Sequence, residues 1–235
     1  MSTISANKRD SVLPTAPVRR IPLNRRSVTS FVSFRGERSI QCESTLERDF
    51  VMLQEFSLPV LDVVSQPCEI PFVASNGRRY TYTPDFLVHY KTNSAPMEMQ
   101  TKPLLVEVKP EDQWRKHWRE WLPKWKAAHS YASERGWRFK IMDESRIRST
   151  PLENINFLKR YVDLNCEETY SQQVLADLET LGSSTFEYLL VKHFQGLFMA
   201  QGIQHLWHLL ATRRIECDIT LPLCNETELW VPYDV

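Results

Sequence analysis

The sequence has no apolar run approaching the ~20 residues that a membrane-spanning helix needs, so an integral membrane protein is excluded. Its first residues lack the apolar stretch of a secretory signal, which predicts a cytoplasmic protein with no membrane partner. A net charge is also absent, because 29 Lys and Arg balance 29 Asp and Glu. With 235 residues, 42% hydrophobic and 25% charged, the chain has room for one large globular domain or two small ones.

Paired cysteines are absent as well. The chain has five cysteines, an odd number, and no Cys-x-x-Cys pair, so we expect reduced thiols and no structural zinc. His205 and His208 lie three residues apart in an apolar helical segment, but no cysteine or acid completes a metal-binding set. Packed histidines are therefore the favoured interpretation.

The balanced charge is unevenly distributed along the chain. Residues 1–40 carry eight bases against two acids, and residues 41–100 carry four against eight. Residues 101–148 carry twelve against seven, whereas residues 149–235 carry five against twelve. The two basic segments are therefore expected to bind a phosphate backbone, and the acidic last part to repel it.

A short apolar run that begins at Leu104 and carries Glu107 and Lys109 predicts a buried strand that Pro110 ends. Side chains alternate along a strand, so Glu107 and Lys109 are expected to project from the same side. Burying an acid and an amine on an apolar strand is costly unless they pair or bind a metal. This strand is the centre of the predicted site.

A second carboxylate comes from Asp85, which precedes a predicted strand at Phe86–Tyr90. Carboxylates are hard oxygen ligands suited to Mg²⁺, and a lysine can orient a water or stabilise charge on a phosphoryl group. Asp85, Glu107 and Lys109 together therefore predict chemistry that cuts a phosphodiester.

A third acid lies near the start of a predicted helix with an apolar stripe of Leu46, Phe50 and Leu53. Glu47 lies beside this stripe and could point into the site. It could equally close a capping box with Ser44, whose hydroxyl would cap the helix. Glu43, one turn earlier, is a rival for the same role.

The remaining pattern predicts strands at 60–72 and 79–83 around an Asn76-Gly77 turn, and a helix that is interrupted at Pro123 and ends at Gly136. A strand follows at 137–142. One helix face carries residues expected to pack in the core, namely Trp114, Trp118, Trp121, Trp125 and Ala128. The basic residues of the helix are expected to be solvated or to contact a nucleic-acid backbone, namely Arg115, Lys116, Arg119, Lys124 and Lys126.

Beyond Pro151, helices are predicted at 152–161, 168–181, 186–200 and 203–210, followed by a terminal hairpin of 214–221 with 228–231. We therefore predict an α/β fold: a mixed sheet flanked by helices, followed by a mostly helical, winged-helix-like domain. The predicted divisions are a flexible basic arm at 1–27, a catalytic domain at 28–150 and an acidic docking domain at 151–235.

The motifs Ser-Thr-Leu-Glu47, Thr-Pro-Asp85-Phe-Leu-Val and Glu107-Val108-Lys109-Pro resemble the PD-(D/E)xK nuclease pattern, with its restriction-endonuclease-like fold. More narrowly, together with Gln66-Pro67, they resemble TnsA, the endonuclease subunit of heteromeric cut-and-paste transposases. The best-known TnsA has Gln at the position of Glu107, so this chain carries the acid of the general pattern.

The resemblance implies a Mg²⁺-dependent DNA endonuclease, with Mn²⁺ as a substitute, that nicks the 5′ ends of a transposon. Asp85, Glu107 and the Val108 carbonyl would hold the metal, Glu47 a second metal or its water, and Lys109 the attacking water. Implied partners are the double-stranded transposon ends, an integrase-type transposase (TnsB) and an ATP-dependent regulator (TnsC). Some transposons of this type are RNA-guided, so the resemblance is also compatible with a CRISPR-associated transposon.

Two other functions stay open at this point. A free-standing restriction or repair nuclease of the same fold would cut without a partner. A non-catalytic module that bridges transposase and regulator would not need Asp85.

Overall fold

The computed structural model describes residues 16–18, 30–92, 100–196 and 199–232. These residues belong to two compact units, the first containing residues 30–47 and 61–142 and the second containing residues 48–60 and 143–232. No helix in the described ranges is both long and apolar enough to cross a bilayer. The predicted arm at 1–27 lies outside the described residues except for 16–18, and the predicted domain limits stay predictions.

The elements up to residue 142 build a mixed sheet. In chain order they are β1 Ser30–Phe34, β2 Arg38–Cys42, α1 Thr45–Phe56, β3 Val60–Ser65, β4 Ile70–Val73, β5 Arg79–Tyr82, β6 Phe86–Tyr90, β7 Leu104–Val108, α2 Glu111–Glu134 and β8 Arg138–Met142. The sheet has the strand order β3-β6-β7-β8, and β1-β2 and β4-β5 form two separate antiparallel pairs. β6 and β7 are antiparallel, whereas β7 and β8 are parallel. The predicted α/β class with a mixed sheet is confirmed.

The sheet is held together by apolar strands that are buried along their length. All five residues of β7 are buried, as are the first four of β6, which is typical of central strands covered on both faces. Leu87 and Leu105 pack in one core cluster with Ala128 and Ala132 of α2. The predicted strand at 86–90 is confirmed residue by residue, whereas the strand predicted from Leu104 to Lys109 ends one residue earlier, at Val108.

Helix α2 differs from its prediction in two respects. It continues through Pro123, so the predicted interruption is wrong. Proline removes one hydrogen bond from a helix, but here buried residues in the second half of α2, Trp125 and Ala128, hold the helix against the core. The predicted single core face is also wrong, because Trp118 is 45% exposed. Gly136, with φ +73°, follows the helix end as predicted.

The second unit is mostly helical, as predicted. After residue 142 the elements are α3 Glu144–Ile147, α4 Thr150–Leu158, a 3₁₀ turn Lys159–Tyr161, α5 Glu168–Leu181, β9 Ser184–Thr185, α6 Phe186–His193, α7 Met199–Ala211 and β10 Glu228–Leu229. Its core cluster joins fully buried side chains of α5, α6 and α7, including Leu178, Leu189, Leu206 and Leu209. His205 lies within hydrogen-bond distance of the Ser171 hydroxyl (2.8 Å) and His208 of the Tyr161 carbonyl (2.8 Å), so both are packed histidines as predicted. All five cysteines are free thiols, as predicted.

Two predictions for this part are wrong. The helix predicted at 186–200 is two helices, because α6 ends at His193, Gly196 adopts φ +68°, and α7 begins at Met199. The predicted terminal hairpin reduces to a single antiparallel bridge between Glu216 and Trp230. Its second strand, β10, pairs with β9 instead.

Candidate active site

Asp85, Glu107 and Lys109 lie together at one end of the β6–β7 pair. Phe86 of β6 is opposite Val106 of β7, so Asp85 comes next to Glu107 where the two antiparallel strands diverge. The Lys109 Nζ lies 3.5 Å from the Glu107 Oε1 and 3.8 Å from the Asp85 Oδ2. The predicted projection of Glu107 and Lys109 from one side agrees with this contact.

Asp85 is fixed by the strand beside it. The Val108 N–H donates to the Asp85 Oδ2 over 2.7 Å. In an extended strand the N–H and C=O of one residue point to the same neighbour, so the Val108 carbonyl is on the Asp85 side of β7. Burial and then the charge of Glu107 raise the pKa of Asp85 well above its ordinary value. Ionised Asp85 is therefore costly in this position, and the charge of Glu107 adds to the cost.

Lys109 carries a positive charge in this setting. Burial alone would lower the pKa of its amine, but the carboxylates of Asp85, Glu107 and Glu47 outweigh burial and raise that pKa above the ordinary value. Without a metal, Lys109 is therefore an ammonium that donates hydrogen bonds and cannot act as a base.

Glu107 is held by two side chains that the sequence did not assign to the site. It is 1% exposed. The Tyr82 hydroxyl donates to its Oε2 over 2.5 Å, and the Lys124 ammonium donates to its Oε1 over 3.1 Å. Burial and then the Glu107 charge raise the pKa of Tyr82 well above its ordinary value, which keeps its hydroxyl protonated as a donor. The sequence pattern predicts a solvated Lys124, and this prediction is wrong because its side chain is only 17% exposed.

Glu47 forms the capping box that the sequence left open. The Glu47 N–H donates to the Ser44 Oγ over 3.1 Å, and the Glu47 carboxylate accepts from the Ser44 hydroxyl (3.1 Å) and the Glu43 N–H (2.8 Å). Glu47 is buried, and its charge also contributes to the raised pKa values of Asp85 and Lys109. Capping and proximity to the site are therefore compatible, whereas the part of Glu47 in metal binding stays a prediction.

Gln66 connects Glu43, which precedes α1, to the backbone of Asp85. Its Nε2 donates to the Glu43 Oε1 over 3.2 Å, and its backbone N–H donates to the Asp85 carbonyl over 2.8 Å. Gln66 adopts φ +47°, an unfavourable conformation for a residue with a side chain. No sequence signal apart from its place beside Pro67 pointed to this connecting role.

The donor atoms suit a hard divalent cation. Within the described ranges, no three His, Cys, Asp or Glu side chains converge to hold a metal. Asp85 and Glu107 form a close pair, and the Val108 carbonyl could add a third oxygen. Mg²⁺ keeps several waters and needs only one or two carboxylates, so this set fits Mg²⁺. The raised pKa of Asp85 points the same way, because a bound cation would offset the crowded negative charge.

Two families match this chain. The family described as TnsA-like endonuclease N terminal matches residues 58–144, which include Asp85, Glu107 and Lys109. The family described as TnsA endonuclease C terminal matches residues 147–219. No curated protein matches the chain. The two matches follow each other in the order expected for one endonuclease.

Proposed function

The chain belongs to the family of TnsA-like transposon endonucleases, and we propose that it is the Mg²⁺-dependent subunit of a heteromeric transposase that nicks the 5′ ends of the element. Membership makes it a transposition endonuclease. The metal, the strand that is cut and the roles of single residues are the proposal.

The observation that carries the proposal is the placement of Lys109 between the carboxylates of Asp85 and Glu107. Two acids and one ammonium within 4 Å give a site that can bind a cation and a phosphate oxygen side by side. Such a site in a buried strand pair is costly to keep without function, because burial and the charge of Glu107 raise the pKa of Asp85.

We assign each residue a role. Asp85 and Glu107, with the Val108 carbonyl, would hold the metal, and Glu47 would hold a second metal or a metal-bound water. Bound Mg²⁺ would supply Lewis-acid polarisation of the phosphate and a more acidic water. Lys109 orients the attacking water and offsets the charge that develops on the phosphate, whereas Tyr82 keeps Glu107 in place.

The division of labour follows from membership in the family. An integrase-type transposase, TnsB, would cut the 3′ ends, and TnsC would recruit the complex. Residues 149–235 carry five bases against twelve acids, which suits docking to a protein better than binding to DNA. An RNA-guided element is one setting that this proposal accommodates.

A strand-specific cleavage assay on transposon ends, with and without TnsB, tests the proposal. Asp85→Ala should abolish 5′ cleavage in Mg²⁺ and leave 3′ cleavage by the partner intact. Asp112→Ala is the matched control, because Asp112 is an exposed acid in the first turn of α2. Normal 5′ nicking by folded Asp85→Ala would refute the site, and efficient cutting without TnsB would favour a free-standing nuclease.

A further inference from the structure

Lys124 lies in an aromatic enclosure beside Glu107. Its Nζ is 4.8 Å from the centre of the Trp121 ring, 4.9 Å from that of Tyr82 and 5.8 Å from that of Trp125. The Lys124 side chain is 17% exposed. Ring faces attract an ammonium without binding it at one fixed point. An ammonium that moved away from Glu107 within the enclosure would therefore still have favourable neighbours.

Two ammonium groups contact the same oxygen of Glu107, Oε1. The Lys124 Nζ lies at 3.1 Å and the Lys109 Nζ at 3.5 Å. The other oxygen, Oε2, accepts the Tyr82 hydroxyl. A divalent cation that approaches Oε1 must therefore displace or repel at least one ammonium.

Of the two lysines, Lys124 is the one free to leave. Lys109 directly follows β7, its backbone N–H is bonded to Met142, and its ammonium also contacts Asp85. Among the described residues, Glu107 is the carboxylate with which Lys124 forms an ion pair, and its other neighbours are rings. Moving Lys124 therefore costs one charge-assisted hydrogen bond, whereas moving Lys109 would break contacts with two acids.

We propose that Lys124 is a positioning residue that acts as a placeholder cation: it occupies Glu107 Oε1 in the metal-free protein and withdraws when the divalent metal binds. The placeholder keeps a nearly inaccessible carboxylate neutralised before the metal arrives. It also weakens metal binding, because the metal must compete with it. This inference rests on the metal site of the proposed function.

The competing interpretation is that Lys124 supports the metal-binding shape of Glu107. The two interpretations predict opposite signs. Removing a support weakens metal binding, whereas removing a competitor strengthens it.

Isothermal titration of the full-length protein with Mg²⁺ or Mn²⁺, without DNA, measures that sign. Lys124→Met keeps most of the alkyl stem and removes the charge. We expect it to bind metal about ten-fold more tightly, the equivalent of one hydrogen bond to a charged group. The matched control is Lys126→Met, two residues along α2 and exposed, which should bind like the wild type. Equal or weaker binding by Lys124→Met would overturn the inference.

Lys124→Arg tests whether a change in metal affinity comes from the loss of the positive charge or from substitution of this residue in general. It keeps the cation and should bind metal within a few-fold of the wild type. A ten-fold gain in this variant as well would mean that charge is not the cause, which overturns the inference. A wild type that binds neither ion overturns it too, whereas a protein that binds metal without cutting DNA contradicts only the proposed function.

Discussion

Replacing Tyr82 with Phe should lower the free energy of unfolding of the metal-free protein, because one hydrogen bond is lost. Phe keeps the ring and its packing, so the change removes only the hydroxyl that donates to Glu107 Oε2 over 2.5 Å. A neutral hydrogen bond would contribute about 1 kcal/mol, but bonds to charged groups contribute about 1.5–3 kcal/mol. Glu107 is 1% exposed, so water cannot replace the lost donor. We therefore expect a loss of about 2 kcal/mol in the free energy of unfolding, at the charged end of the range.

The measurement is urea unfolding in the presence of a chelator. The matched control is Tyr80→Phe, because Tyr80 is in the same strand, is 45% exposed and keeps its ring contact with Phe72 as Phe. The control should change stability by no more than about 0.5 kcal/mol. Adding Mg²⁺ should reduce the difference in free energy of unfolding between Tyr82→Phe and the wild type, because a cation bound to Glu107 replaces the lost hydroxyl. Equal stability of the two variants in chelator would refute the reasoning.

Three further predictions follow from the site and from α2. Glu47→Gln should keep the capping box, with a stability change below about 1 kcal/mol, and yet abolish Mg²⁺-dependent cleavage, whereas Glu43→Gln should be tolerated in both assays. Trp125→Ala should cost about 3–5 kcal/mol in urea unfolding and the exposed Trp118→Ala less than about 1 kcal/mol, and similar losses would contradict the packing described for α2. In chelator, Asp85 should contribute most to the free energy of unfolding at pH values below the ordinary aspartate pKa of about 4. This contribution should be lost as the pH rises through the raised pKa of Asp85 in the folded protein. Asp85→Asn should therefore make the free energy of unfolding depend less on pH, which urea unfolding at several pH values measures.

Local pattern predicted the elements that carry the acids. The apolar run from Leu104 and the proline after it predicted β7 to within one residue, and the pattern at Glu168–Leu181 predicted both ends of α5. In both segments the hydrophobic period and the end signals agree. The contact between Asp85, Glu107 and Lys109 could be anticipated because Glu107 lies in β7 and Lys109 directly follows that strand.

The two side chains that donate hydrogen bonds to Glu107, Tyr82 and Lys124, could not be predicted in this way. Lys124 stands between Trp121 and Trp125 in α2, and a lysine in that position of a helix can equally be exposed to solvent. Its burial depends on Tyr82, which comes from a strand more than forty residues earlier in the sequence. Pro123 misled for a related reason: local propensity predicts a break, but tertiary packing of Trp125 prevails. Contacts between distant segments leave no periodic signal.

The two units are discontinuous in the chain, and this has a consequence for synthesis. Residues 48–60 leave the ribosome before residues 143–232, which complete their unit. Phe56, for example, packs against a cluster that contains Leu209, Leu210 and Ile215, and the Lys159 ammonium lies 3.2 Å from the Met52 sulfur. The first unit can close once Met142 has emerged, but the end of α1 must wait for contacts of high sequence separation, which form slowly. A nascent chain of which about 150 residues have emerged from the ribosome should therefore hold a complete sheet and an incompletely packed α1, to which a chaperone can bind.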